Sequence, residues 1–245
     1  MNHIINNNKL KKQSLSIVII TFNSENIIKE AIISANFADE VLILDSGSND
    51  NTVEIAKSLG TRVVTQPWLG FGLQKQKAIE LAKNDWIFVL DSDERITEKL
   101  KNEIEEVLKS PEFDGYYIPR LNYFFGKPIY HCGLYPDYTI RLFNKKRGRF
   151  TPDPVHEKVI INGTTGKLTN PMHHLAYDSI EKFIEKQNRY SSLGAKQNRL
   201  KAMINPFWTF FRIYFLKLGF LDGWHGYLIA KLYSQYTFWK YTKEK

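Results

Sequence analysis

The residues of this chain that could do chemistry stand at the ends of apolar runs. Trp86-Ile87-Phe88-Val89-Leu90-Asp91-Ser92-Asp93-Glu94 passes from a run of strand length into three carboxylates. Residues i and i+2 of an extended chain point to the same side, so Asp91 and Asp93 can face one ligand. Such a hard-oxygen pair suits Mg²⁺ or Mn²⁺, divalent cations that keep water and bridge phosphate oxygens. The same residues also suit a solvated turn capping the next helix. Asp45 closes a second apolar run, Val41 to Leu44, ahead of Ser46-Gly47-Ser48-Asn49-Asp50-Asn51-Thr52. A carboxylate there can accept a hydrogen bond from a base N–H, while hydroxyls and backbone N–H groups meet ribose or phosphate. A cluster of turn and helix-capping residues is the alternative. Both can hold, with Asp50 and Thr52 structural and Asp45 binding.

Weaker candidates follow. Lys75 and Lys77 come after Gly70 and Gly72 on the first turns of a helix and bring cations toward the same edge. Asp137 sits in an irregular loop bounded by glycine and proline, four residues before Arg141; it reads as a general base or as a turn aspartate after Pro136. His156 and Glu157 pair an imidazole with a further carboxylate. Cys132 beside His131 has no third group to complete a nucleophilic set and is read as incidental.

The elements that must position these residues alternate. Leu15 to Ile20, Val41 to Leu44, Arg62 to Thr65 and residues 86–90 read as strands, with helical patterns between them, the last from about Leu73 to Lys83. Strand–helix alternation specifies a parallel sheet with crossover connections, and ligands of such sheets bind outside the carboxyl ends of the strands. Thr21–Glu25, Asp45–Thr52 and Asp91–Glu94 all fall there. Beyond a helix at 97–109 the pattern changes to an extended Tyr-rich stretch, 114–124, and an irregular loop, 125–137. A strand at 138–144, a basic turn and a long polar helix at 178–200 complete this part.

Composition sets the bounds. A chain of 245 residues buries one substantial core, and net charge +8 favours polyanionic company: nucleic acid, anionic lipid headgroups or a phosphorylated substrate, among which charge alone does not choose. One cysteine excludes an internal disulfide framework and fits a reducing compartment, and Met1 to Ser14 lacks the apolar stretch of a signal peptide. The last 41 residues hold 14 aromatics, broken by Arg212, Lys217, Lys231 and Lys240. No uncharged run reaches the roughly 18 residues of a spanning helix. Basic and aromatic residues mixed on helices favour lying in a membrane interface; a helical pair packed on the domain is the alternative.

Three motifs in order, Ser16-Ile17-Val18-Ile19-Ile20-Thr21-Phe22-Asn23, Asp45 to Thr52 and Asp91-Ser92-Asp93, resemble the family 2 inverting glycosyltransferases of GT-A fold. Trp86 to Glu94, Pro136 to Phe143, Val155-His156-Glu157 and Phe215 to Gly223 look like the bacterial branch that holds lipopolysaccharide-core β-1,4-glucosyltransferases acting on inner-core heptose. The resemblance covers about residues 14 to 241. It implies a Rossmann-like α/β fold with a mostly parallel sheet flanked by helices and a C-terminal aromatic helical segment at a membrane interface. It divides the chain into a flexible lead (1–13), a nucleotide-sugar-binding α/β half (14–110), an acceptor-facing half (111–204) and an amphipathic aromatic, basic helical tail (205–245).

Residue by residue, the resemblance implies that Thr21, Asn23 and Glu25 border the nucleotide and that Asp45, with Ser46, holds the uracil. Lys77 would lie near the nucleotide's edge, Asp91 with Ser92 would meet ribose or metal, and Asp93 would ligate Mg²⁺ or Mn²⁺ on the diphosphate. Arg141, His156 and Glu157 would face acceptor and diphosphate, with His156 also within reach of the metal. Asp137 is the base by position; Pro136 stands where many members carry an acidic residue, which makes Glu157 the second candidate. The Gln-x-x-Arg-Trp motif of processive synthases is absent, since Gln187-Asn188-Arg189-Tyr190 departs from it, so one sugar per acceptor is expected. The donor would be a UDP-sugar, glucose by the branch, and the acceptor a lipopolysaccharide-core or other lipid-linked glycan. The enzyme would be cytoplasmic and peripheral on the anionic inner face of the inner membrane.

Two other classes fit less well. A nucleotidyltransferase needs a basic, Gly-rich triphosphate loop after the first strand, and Thr21–Glu25 has neither Gly nor Lys. A nucleic-acid-binding module needs aromatics interleaved with basic residues on a sheet or groove, whereas these cluster in a helical tail, so no nucleic-acid partner is expected.

Overall fold

The computed structural model describes residues 12–151 and 157–244. The first elements are β1 (Leu15–Thr21), α1 (Ile28–Ala35), β2 (Glu40–Asp45), α2 (Thr52–Ser58), β3 (Arg62–Thr65), α3 (Phe71–Leu81), β4 (Trp86–Asp91), β5 (Glu94–Arg95) and α4 (Glu98–Val107). The strands β6 (Gly115–Phe124), β7 (Lys127–Pro128), β8 (Asp137–Asn144), β9 (Gly148–Phe150), β10 (Val159–Ile161), β11 (Thr165–Lys167) and β12 (Met172–Tyr177) follow. Helices α5 (Ile180–Leu193), α6 (Arg199–Phe211) and α7 (Gly223–Thr242) end the chain, with a π-helical turn (Arg212–Leu216) and a 3₁₀ turn (Gly219–Asp222) between the last two.

The chain forms two compact units. The first holds the described residues up to Ile118 and Tyr138–Met172; the second holds Pro119–Asp137 and the described residues from His173 onward. In the first unit the strands lie in the order β3-β2-β1-β4-β8. β1 pairs in parallel with β2 and β4, β2 in parallel with β3, and β8 runs antiparallel to β4. β1 is buried along its whole length because Ile17 and Ile19 pack on one side of the sheet and Val18 and Ile20 on the other. A strand covered by helices on both faces requires such a continuous apolar run. Register brings Thr21 beside Asp45 and Ile20 beside Asp91, so the carboxyl ends of β1, β2 and β4 form one edge.

The second unit is largely helical. Its core gathers Phe124, Ile129, Cys132 and Phe183 with Ile213, Ile229 and Ala230. The C-terminal segment therefore supplies core residues, and α6 begins at Arg199, ahead of the sequence-expected boundary at 205. Helices α6 and α7 are tied by Ser234 donating to the Pro206 carbonyl (2.9 Å) and by Thr209 meeting Thr237 (3.2 Å).

Candidate active site

The loops after β1 and β2 are laced together. Ser24 N–H donates to Thr52 Oγ1 (2.7 Å), Glu25 N–H to Asp50 (3.1 Å), and Asn49 and Asn51 N–H groups donate back to Asn23 and Glu25. Asn23 adopts φ 45°, a left-handed conformation that asparagine tolerates better than most side chains. Asp45 is buried and accepts from the N–H groups of Gly47 and Ser48 and from the Ser48 hydroxyl. Asn23, Glu25 and Asp45 thus each shape the loops in which they lie, and Asp50 caps the start of α2 through Thr52. Gly70, at φ 91°, admits the turn into α3 that side chains with a Cβ disfavour. Buried Gln74 then donates to Ser46 Oγ (3.1 Å) and the Gln66 carbonyl (3.2 Å), fixing α3 to the β2 loop.

At the end of β4 the carboxylates meet cations. Asp91 is ion-paired to Lys75 (3.0 Å) and Arg141 (2.6 Å), and Lys75 also lies 3.5 Å from Glu157. Arg141 bonds the fully buried Glu94, whose other oxygen accepts the Asp91 N–H at 3.0 Å. Burial opposes ionisation of Asp91, but Arg141 and Lys75 outweigh it and hold the carboxyl far below the usual range. Burial likewise works against the Arg141 cation, and Asp91 and Glu94 more than offset it. Two polar atoms of this edge, Thr21 Oγ1 and Arg141 Nε, are buried without a hydrogen-bond partner among the described residues. Buried polar groups are nearly always paired, so both suit a polar ligand.

Asp93 and Ser92 lie half-buried on the turn after β4, where the Ser92 carbonyl accepts from Arg95 (2.8 Å). Of the two lysines named from the sequence, Lys75 faces Asp91, while Lys77 lies on a half-exposed face 4.0 Å from Glu80. His156 lies outside the described residues. Among the described residues no three His, Cys, Asp or Glu side chains form a protein-only metal cage. Magnesium and manganese sites on nucleotide diphosphates need only one or two carboxylates beside phosphate and water oxygens, and Asp93 fits that donor set. Asp91 is held at the same strand end by Lys75 and Arg141.

The second unit holds Asp137 and Arg120. Asp137, at the start of β8, accepts from Arg120 Nε (3.0 Å) and Nη2 through one oxygen, Oδ2, and its side chain is 39% exposed. Sequence reasoning missed Arg120, Gln74 and the bracing part of Glu94. The one available signal was a charged or amide residue inside an otherwise buried periodic face, as Gln74 and Lys75 are with Ala78 and Ile79. Cys132 is buried, and burial first, then the Asp222 carboxylate, push its thiol up to about 12; an unreactive side chain results.

The edge at the carboxyl ends of parallel strands, here carrying carboxylates, a buried lysine and an orphaned hydroxyl, is where ligands of such sheets bind. The chain belongs to glycosyl transferase family 2, whose model matches residues 16–162. It is a glycosyltransferase of GT-A fold. An uncharacterized glycosyltransferase of Rickettsia bellii is 32% identical over 96% of this chain and 87% of its own length. The lipopolysaccharide core biosynthesis glycosyltransferase LpsC of Rhizobium meliloti is 30% identical over 94% of this chain and 91% of its own. Among solved structures, glucosyl-3-phosphoglycerate synthase of Mycobacterium tuberculosis, in complex with Mn²⁺, UDP and glucosyl-3-phosphoglycerate, aligns at TM-score 0.38 and 23% identity. That alignment covers 45% of this chain and 44% of the synthase.

Proposed function

We propose that the enzyme transfers one glucose from UDP-glucose, with inversion, to a lipid-linked acceptor of the lipopolysaccharide-core kind. The observation that carries the reading is the braced strand-end cluster, in which Lys75, Arg141 and Glu94 hold Asp91 rigid two residues before Asp93. Thr21 Oγ1 and Arg141 Nε would meet the donor's polar atoms, and the loops shaped by Asn23, Glu25, Asp45 and Ser46 would cradle its uracil and ribose. Asp93 would hold Mg²⁺ or Mn²⁺, which when bound offsets charge on the leaving diphosphate as a Lewis acid. Asp137 is assigned as base. Arg120 occupies Oδ2 and orients the group, and the acceptor hydroxyl's proton goes to Oδ1. The acceptor oxygen then bonds the anomeric carbon from the face opposite UDP, and the carbon–oxygen bond to the diphosphate breaks with its electron pair leaving on UDP. An α-linked donor gives a β-linked product.

A membrane surface is the proposed site of action. Leu200, Met203, Ile204, Phe207, Phe211 and Phe215 follow helical spacing and are all exposed, Phe207 by 78%. From residue 186 to 221 the chain has no Asp or Glu but carries Lys186, Arg189, Lys196, Arg199, Lys201, Arg212 and Lys217. An apolar stripe set among cations matches an anionic bilayer interface, here assigned to the cytoplasmic leaflet. No helix among the described residues is long and apolar enough to cross a membrane.

The test is donor binding and hydrolysis by the purified protein across UDP-, GDP- and dTDP-sugars, with Mn²⁺ or Mg²⁺ and then with chelator. Chelator-sensitive selection of UDP-glucose is expected. Selection of a different nucleotide would refute the donor assignment, and chelator-insensitive turnover would refute the cation at Asp93.

A further inference from the structure

A carboxylate distant in sequence braces the loop that ends at Asp137. Asp222 closes the 3₁₀ turn, and its side chain is 6% exposed. Its polar contacts with that loop come from the neighbours Tyr130, His131 and Cys132, whose thiol reaches Oδ2 at 3.9 Å. Oδ2 accepts the His131 N–H (2.9 Å), Oδ1 accepts the Tyr130 N–H (3.3 Å), and Oδ1 also faces His131 Nδ1 (3.1 Å). Next to them the Cys132 N–H donates to the Lys217 carbonyl at 2.9 Å. The turn packs too closely for side chains at its glycines. A Cβ on Gly219 would stand 2.8 Å from the Ile213 carbonyl oxygen and 3.0 Å from Cys132 Sγ, and one on Gly226 would stand 1.7 Å from the Gly219 carbonyl oxygen.

The loop is also held from β6. The Ile129 N–H donates to the Asn122 carbonyl (3.0 Å), Asn122 Nδ2 donates to the Leu134 carbonyl (3.1 Å), and Arg120 grips Asp137. Within the loop the Leu134 N–H donates to the His131 carbonyl at 3.0 Å. A continuous chain of hydrogen bonds therefore runs from Asp222 through His131 and Leu134 to the strand that orients Asp137.

We propose that Asp222, acting through His131, is a positioning residue for Asp137. The 3₁₀ turn of the C-terminal segment then belongs to the acceptor machinery as well as to the fold. The proposal rests on the reading of Asp137 as the base. Its physical ground is that a base must lie within hydrogen-bond reach of the proton it takes, and that small displacements of a reacting group are costly. A buried carboxylate with all its donors on one loop fixes that loop in direction as well as in place.

The experiment measures turnover of the sugar nucleotide selected in the donor panel, with water as acceptor, and amide hydrogen exchange across residues 130–134. It compares Asp222→Asn, His131→Asn, His131→Val and Asp137→Asn in the full chain. Asp222→Asn is expected to lower kcat by roughly 10²-fold while leaving the donor KM unchanged, with faster exchange in the loop. His131→Asn keeps a side-chain donor near the place of Nδ1 and should retain most activity, whereas His131→Val should fall with Asp222→Asn. Equal losses in the two His131 variants, or a donor KM that rises in step with the loss of kcat, would reduce Asp222 to a structural staple and overturn the proposal. If Asp137→Asn is inactive and Asp222→Asn fully active, positioning fails while the base assignment stands. If Asp137→Asn keeps full turnover, the base assignment fails and takes the proposal with it.

Discussion

Arg141→Met removes a guanidinium that neutralises two carboxylates and replaces it with an unbranched apolar side chain. At 2.6 Å from Asp91, in an effective dielectric of about 20, the gross attraction is about 6 kcal/mol. Much of that is balanced in the folded protein by desolvation of the pair, and breaking a buried pair costs roughly 3–5 kcal/mol because it strands a charge. Lys75 still compensates Asp91, and the Asp91 N–H still serves Glu94, so the lower end, about 3 kcal/mol, is expected. The assay is urea unfolding of both proteins between pH 4 and pH 8, reported as the difference in free energy. The sign follows from Asp91, whose folded carboxyl is held below its ordinary value of 3.8. Its contribution is fully present above that value and fades as pH falls through the folded one. Without Arg141 the depression is smaller, so protonation relieves the variant at a higher pH than the wild type. Both proteins keep Asp91 ionised across most of that range, so the destabilisation should hold nearly constant from pH 8 to pH 5 and narrow only once the acid reaches the variant's folded value. A loss below about 1 kcal/mol at neutral pH would refute the claim that Arg141 braces this edge.

Asp93→Ala should abolish metal-dependent turnover while the protein remains folded by circular dichroism, and full activity would remove Asp93 from the cation site. Asp137→Asn should keep donor binding by calorimetry and lose about 10²- to 10⁴-fold in transfer; if Glu157→Gln does this instead, the two residues exchange roles. Glu103 accepts from the N–H groups and side chains of Thr169 and Asn170. Burial would raise its carboxyl, but these hydrogen bonds hold it below the ordinary value. Its stabilisation is present above the ordinary value and lost on acidification, so Glu103→Gln should cost about 1–3 kcal/mol at pH 7 and less at pH 3, as thermal melts would show. Phe207→Ser with Trp208→Ser should weaken partition onto vesicles of phosphatidylglycerol and phosphatidylethanolamine without lowering Tm, since both side chains are exposed; unchanged partition would favour a packed-helix role. Substitution is more informative than truncation here, because Ile213, Ile229 and Ala230 belong to the core.

The parallel sheet and its strand-end edge were legible because they are encoded locally. A β-branched run long enough for a strand, buried on both faces, followed at once by carboxylates, leaves little choice of architecture or of which end binds. The strand and helix starts read from the sequence accordingly lie close to β1 through α4. Local patterning could also show that α3 carries lysines near that edge, but not which of them faces in. Only packing against the sheet turns Lys75 to Asp91 and leaves Lys77 beside Glu80.

Partners between distant segments were not legible at all. Arg120 with Asp137, Glu94 with Arg141 and His131 with Asp222 are brought together by the fold, and no periodicity links them. The use of Asn23 and Glu25 to lace two loops likewise follows from where parallel strands end side by side. The sequence by itself determined the α/β class, the strand-end edge and the aromatic, basic character of the C-terminal segment, since propensity and hydrophobic period act over neighbouring residues. Tertiary structure alone decided which carboxylate is braced and by which cation, because desolvation and ion pairing depend on groups that meet only once the core has closed.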